Sequence, residues 1–236
     1  MSEQGTFWSR LGLSNNQLKI LAMVAMFMDH FGKQICPDVM ILQVLGRLAF
    51  PIFAYMIAEG CRYTRSRVRY LSLLFGLGAL CQLVYFLALG DLYQNILLTF
   101  SMSVALIFSI DAFIKKRSVL RAAIALCVIA FVLFVCVPLP MMLEDRGFDI
   151  DYGIFGVLLP VAVYFMPNKP AKLCAAAVLL LPIVWGNPPY KWFSFAALLP
   201  LALYNGKRGK YRLKYLFYIF YPVHLVLIYA LSLLLQ

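Results

Sequence analysis

Nine apolar runs follow one another along this chain, each parted from the next by a short charged or Gly/Pro-rich break. They cover roughly residues 18–32, 39–60, 70–90, 95–114, 119–139, 152–166, 171–186, 191–204 and 214–235. A straight helix across a bilayer needs about 20 apolar residues, and in hydrocarbon every backbone polar group must be satisfied internally. The pattern therefore predicts an all-α fold, a polytopic integral membrane helix bundle of about nine transmembrane segments, with a range of eight to ten. The runs at 152–166 and 191–204 are short, and are expected as tilted partners, half-helices or re-entrant segments. A soluble globule is excluded, because a chain that is 64% hydrophobic and 13% charged lacks the polar surface to cover a core. Residues 1–236 read as one membrane domain that opens with a polar or mixed stretch at 1–17, expected in the cytoplasm. That stretch has no cleavable-leader pattern. Within it, residues 7–13 have the mix of an interfacial amphipathic turn.

Charge sets the orientation. Of the 21 basic residues, 17 fall at the N-terminus or in the loops around 62–69, 115–121, 169–172 and 207–214. Only Lys33, Arg146 and Lys191 fall in the opposite loops. Such a bias places the basic side in the cytoplasm, so the N-terminus is expected inside and the C-terminus outside, in a bacterial inner membrane. The net charge of +11 thus reads as topology, and nucleic acid is not an expected partner. The six cysteines are dispersed and lack metal-ligand spacing, so no metal is expected.

Against this background the ionisable residues inside apolar runs stand out, since each is costly in a bilayer unless it faces a wet or protein-lined interior. The chain has two histidines, and both are of this kind: His30 ends the first run and His224 lies in the last. Histidine is the side chain that changes charge near neutral pH, which suits a proton acceptor. Lys19 and His30 lie eleven positions, about three helical turns, apart and share a face roughly 16 Å long. Two readings fit that stripe: an anion site at the inner end with a base at the outer end, or a snorkelling lysine and a capping histidine. Asp29 diverges from His30 by about 100° and points to a neighbouring helix, with Arg47 a suitable partner. Arg47 is itself about 12 Å deep in its run, where it must pair with a carboxylate or hold an anion. Glu59 and Arg62 have i,i+3 spacing and are expected to pair locally. The cluster Arg62, Arg65, Arg67 and Arg69 is denser than topology requires, and suits either phosphates or anionic lipid headgroups. His224 lies near mid-membrane beside Pro222, where a kink is favoured. Asn95, Thr99, Ser101 and Ser103 read as helix–helix hydrogen bonds, and Asp111 as a partner of the Lys115–Lys116–Arg117 turn.

Several stretches in this order resemble the TraX family, membrane proteins associated with N-acetylation of pilin in conjugative systems. They are Leu18-Lys19-Ile20 with Met28-Asp29-His30, Gly46-Arg47-Leu48-Ala49-Phe50-Pro51, Glu59-Gly60, Asn95 to Thr99, Asp151-Tyr152-Gly153, and Tyr221-Pro222-Val223-His224-Leu225. The family is similar in turn to the transmembrane acyltransferases that use acyl-CoA, which carry an Arg, ten residues and a catalytic His on the first helix. Here Lys19 stands where that Arg would be, and His30 at the His position. Lys is a point charge without the bidentate fork of Arg.

The resemblance implies an enzyme that transfers an acetyl group from cytoplasmic acetyl-CoA to an amine or hydroxyl. The expected catalytic residues are His30 as general base, Asp29 and Arg47. The donor would be held by Lys19, Arg62, Arg65, Arg67 and Arg69. The acceptor, a pilin-like protein or an envelope glycan, would meet His224, Tyr221, Asp149, Asp151 and Tyr152. Two alternatives carry different expectations: a proton-coupled transporter, with substrate flux independent of CoA, and a non-catalytic assembly subunit, in which His30 is silent.

Overall fold

The computed structural model describes residues 12–90, 92–210 and 213–235. The 7–13 stretch and the 1–17 segment therefore fall largely outside the described residues. Among these residues the chain is helical, with two isolated β-bridges and no strand. It divides into two compact units: Met1–Met56 with Val184–Gln236, and Ile57–Ile183.

In the first unit, α1 (Asn15–Gln34) starts at a capping box: Ser14 accepts from the Gln17 amide, and the Gln17 side chain accepts from the Ser14 amide. Against α1 packs α2 (Met40–Gly46). The approach depends on glycine, because a Cβ on Gly46 would lie 2.4 Å from the Asp29 Cβ and 2.8 Å from its Cα. Gly32 is placed alike, 2.8 Å from the Leu42 Cβ. The run at 39–60 is one span in length but is broken at Arg47–Leu48, after which α3 (Ala49–Tyr63) begins. Pro51 explains the break: its ring excludes the carbonyl four residues back, that of Arg47, from helical geometry. The run at 191–204 is a 3₁₀ stretch, Pro189–Ala197, followed by a short helix not yet numbered, Leu198–Ala202. It is not a straight span. The chain beyond it bonds back to the start of α1, with Leu13 N donating to Leu203 O and Asn205 N to Leu13 O, each at 2.9 Å.

The second unit holds α4 (Arg67–Leu89), α5 (Ile96–Lys115), α6 (Val119–Cys136), α7 (Pro138–Met142), α8 (Gly153–Phe165) and most of α9 (Lys169–Val184). Its centre is α5, which packs on α4, α6 and α8. The polar side chains of α5 are its joints. Asn95 caps the helix and donates to Gly78 O at 2.9 Å, Thr99 donates to Asp151 O at 3.0 Å, and Ser103 to Val157 O at 2.8 Å. Thr99 and Ser103 are fully buried, so each hydroxyl needs such a partner. The apolar core beside them is Leu106, Val132, Cys136, Ile150 and Val157.

With Leu198–Ala202 taken as α10, the last helix is α11 (Lys214–Leu234), which returns to the first unit and packs on α1. Among the described residues, five helical stretches are long and apolar enough to cross a membrane: Met40–Tyr63, α4, α5, Val119–Met142 and Leu216–Leu234. α1 is 20 residues long but carries Lys19, Asp29 and Lys33, and α8, at 13 residues, is about 20 Å long. Phe75, Leu83 and Leu87 of α4, Leu120 and Phe131 of α6, and Val223, Val226 and Leu233 of α11 are all exposed, whereas Asp29, Arg47, Glu59, Lys172 and His224 are buried. Apolar faces outward and charges inward are the arrangement a bilayer selects.

Candidate functional site

The two histidines, 194 residues apart in sequence, meet in the first unit: His30 Nδ1 and His224 Nε2 are 2.9 Å apart. The contacts restrict where the protons of two neutral rings can lie. His224 Nδ1 is 2.8 Å from the Phe220 carbonyl oxygen, which only accepts, so this nitrogen carries the proton and donates. A neutral His224 then has a bare Nε2, which accepts from His30 Nδ1–H. A neutral His30 in turn has its lone pair on Nε2, and that atom has no hydrogen-bond partner among the described residues. The chain of bonds from the Phe220 carbonyl through His224 ends on a basic nitrogen at His30.

Packing holds both rings. Phe220 stacks on His224 at a centroid distance of 4.5 Å and an interplanar angle of 5°, and the buried Tyr221 lies edge-on to it at 5.7 Å. Phe220 and His224 are one turn apart on α11, so one helical face supplies both the carbonyl and the ring that bonds to it. His224 is 3% exposed, whereas His30 is only partly buried.

On the neighbouring positions of α1 and α2, Asp29 forms a buried ion pair with Arg47 Nη2 and a second with Lys33 Nζ at 2.7 Å. Arg47 Nε donates to Gln43 O at 3.2 Å, and the guanidinium lies 5.8 Å from the Tyr190 ring centroid. The partner expected for Asp29 is therefore the one found, and no Asp29–His30 pair forms. Lys19 places its Nζ 5.0 Å over the Phe217 ring and has no carboxylate partner among the described residues. Lys19 meets α11 near that helix's start and His30 meets it seven residues later, so α1 and α11 run in the same direction.

In the second unit the arginine cluster separates into two kinds. Arg62 donates to the Tyr164 and Met166 carbonyls and lies over the Tyr164 ring, and Arg67 pairs with Asp111. Arg65 and Arg69 are exposed, with no side-chain partner among the described residues. The local Glu59–Arg62 pair expected from spacing does not form. Glu59 instead pairs with Lys172 at 2.6 Å, both side chains being buried, since Lys172 reaches Glu59 from another helix while Arg62 turns to backbone carbonyls. Asp111 takes Lys115 at 2.8 Å as well as Arg67. All six cysteines are free.

Asp149, Asp151 and Tyr152 form one turn of this unit. Asp149 Oδ1 accepts from the Ile150 amide at 2.7 Å, and Asp151 Oδ1 accepts from the Tyr93 hydroxyl at 3.1 Å. Partial burial, then the adjacent Asp151 carboxylate, pushes the Tyr93 phenol well above its usual range, so it stays a donor. Tyr152 has φ 62°, the left-handed region, and is the one non-glycine residue of the described chain to do so. The strained turn starts α8.

A family model described as TraX protein matches residues 14–232. The chain belongs to the TraX family. A similar protein is the probable fimbrial assembly protein FimC, serogroup H1, of Dichelobacter nodosus, 27% identical over 243 residues that cover 93% of this chain and 96% of that one. A shorter similarity, 42% over 38 residues, links this TraX-family chain to the uncharacterized protein RP591 of Rickettsia prowazekii (strain Madrid E), covering 16% of this chain and 15% of that protein. No solved structure matches. Sequence reasoning marked His30 and His224 separately but missed that they touch, and it missed Phe220, Gln43 and Tyr190. The signal for the pairing was that the chain has two histidines and both lie in apolar runs.

Proposed function

We propose that this TraX-family protein is a membrane acyltransferase that moves an acetyl group from cytoplasmic acetyl-CoA to an amine or hydroxyl, with His30 as general base. The observation that carries the reading is the unpartnered Nε2 of His30, held as the basic nitrogen by the bond to His224. In this reaction His30 Nε2 takes the proton of the acceptor N–H or O–H as its heteroatom bonds to the thioester carbonyl carbon. The tetrahedral oxyanion collapses, the C–S bond breaks, and the Nε2 proton passes to the departing CoA thiolate. Arg47 has two of its nitrogens engaged by Asp29 and Gln43 O. The remaining Nη1 is its contact to the oxyanion, and Asp29 holds the group in place.

Lys19, which has no carboxylate partner among the described residues, is the donor-phosphate contact on α1. Within the cluster of the second unit, Arg65 and Arg69 are the arginines open to an anion, since Arg62 and Arg67 are engaged in the fold. The tally of basic loops supports a bacterial inner-membrane protein with its N-terminus inside, and the parallel course of α1 and α11 supports a C-terminus on the opposite side. Tyr221, packed edge-on against His224 in the first unit, is assigned to the acceptor. The name of the Dichelobacter nodosus relative favours a fimbrial or pilin-like protein as that acceptor over an envelope glycan. It also supports a second reading, an assembly factor without transfer chemistry, in which the histidine pair has no chemical task.

The test is transfer of radiolabelled acetyl from acetyl-CoA in proteoliposomes of purified protein, wild type beside His30→Ala, with membrane extract as the acceptor pool. Label reaching an acceptor with wild type alone is the expected result. Wild-type protein that neither transfers label nor binds acetyl-CoA would overturn the enzyme reading in favour of assembly.

A further inference from the structure

We infer that His224 is the positioning residue of the His30 base, holding it in the Nδ1–H form and carrying part of the positive charge it acquires. The inference rests on the acyltransferase reading for its chemical purpose, but its structural content stands on the contacts alone.

A neutral imidazole has two tautomers, and the hydrogen bond made by one nitrogen decides which is present. His30 presents a useful lone pair at Nε2 only while its proton is on Nδ1. No carboxylate enforces that here: Asp29, the adjacent residue, bonds to Arg47 and Lys33 instead. The enforcing acceptor is His224 Nε2, 2.9 Å away. His224 can accept there because the Phe220 carbonyl, 2.8 Å from Nδ1, keeps the His224 proton on the other side of the ring. A backbone carbonyl thus sets one tautomer, and that tautomer sets the next. The ring is also immobilised, being stacked on Phe220 at 4.5 Å and 3% exposed.

The arrangement has a consequence during transfer. When His30 Nε2 takes the acceptor proton, His30 becomes an imidazolium, and its Nδ1–H bond to His224 becomes charge-assisted and stronger. His224 therefore stabilises the protonated base without touching donor or acceptor. The same proton later leaves from Nε2 to the thiolate, and the Nδ1 proton stays in place throughout.

Because the chain holds two histidines, ¹⁵N-labelled histidine gives a spectrum of two imidazoles. The test is that spectrum for the full-length protein in lipid at about pH 8, above the ordinary imidazole range, with His224→Gln to assign it. The side-chain oxygen of Gln falls where Nε2 does, and accepts the same bond. Wild-type His30 is expected to show a protonated Nδ1 and a bare Nε2, His224→Gln to keep that state, and His224→Leu to lose it. In the acetyl-transfer assay His224→Leu is expected to lower kcat on the order of 10²-fold, within the range of general-base contributions. KM for acetyl-CoA is expected to be little changed, and His224→Gln to recover most of the loss. A proton on Nε2 of His30 in the wild-type protein overturns the inference, as does an unchanged His30 tautomer in folded His224→Leu. The wild-type spectrum decides even where the leucine variant does not fold. The expected tautomers with no acetyl transfer by any protein would sink the transfer reading while the positioning by His224 stands.

Discussion

Replacing Arg47 by methionine tests the buried charge pair at its centre. The side chains of Asp29 and Arg47 are 11% and 7% exposed, so neither is well solvated once the other is gone. Breaking a buried pair from one side costs about 3–5 kcal/mol, because it leaves an uncompensated charge. Asp29 keeps Lys33 at 2.7 Å after the change, and that holds the loss near the lower end, about 3 kcal/mol. Asp29→Asn leaves Arg47 without an anionic partner, with the Gln43 carbonyl and the Tyr190 ring, and belongs nearer the upper end. Lys33→Ala should cost at most about 1 kcal/mol, since that side chain is 45% exposed. The double variant Asp29→Asn/Arg47→Met should be less destabilised than the sum of its parts by at least about 2 kcal/mol, as contacting residues couple. Reversible unfolding in bicelles, followed by tryptophan fluorescence, reads all four values. An Arg47→Met protein within about 1 kcal/mol of wild type, or strict additivity in the double variant, would refute the argument that these charges hold α1 to α2.

Other outcomes follow from the same contacts. Gly46→Ala should destabilise by about 1–3 kcal/mol in the same assay, as its Cβ meets Asp29 Cβ and Cα, neither of which can swing away. Glu59→Gln should cost about 3 kcal/mol by leaving Lys172 buried beside a neutral amide, and Glu59→Gln/Lys172→Met should recover part of it on unfolding. Arg65→Glu with Arg69→Glu should raise KM for acetyl-CoA without shifting the unfolding transition, whereas Arg67→Ala should shift the transition, since Asp111 then loses one of its two cations. Ser103→Ala should lower stability by about 0.6 kcal/mol, the typical loss for one interhelical hydrogen bond in a membrane protein, and Thr99→Val, which loses a bond to the turn before α8, by a similar amount.

The helical architecture was legible because hydropathy is a local property of consecutive residues. Each apolar run corresponds to helix, from Asn15–Gln34 to Lys214–Leu234. Spacing also pointed Asp29 away from His30 and toward a second helix. Spacing misled at Glu59, where an i,i+3 cation was available but a buried lysine on another helix lay closer to the carboxylate. In the arginine cluster it did not separate the two residues engaged in the fold from the two that are exposed, because that depends on which carbonyls and carboxylates the helices bring within reach.

The sequence by itself determined a helical membrane protein of the TraX family, with its few charges inside apolar segments and its basic residues on one set of loops. A run of residues carries its own transfer free energy and its own helical period, so no distant contact is needed to read them. What the tertiary structure alone decided is what the ring of His30 touches, and with it the nitrogen we assign as basic. That assignment passes through His224 and the Phe220 carbonyl, on a helix 194 residues away in sequence, and a proton's position on an imidazole is set by what the ring touches.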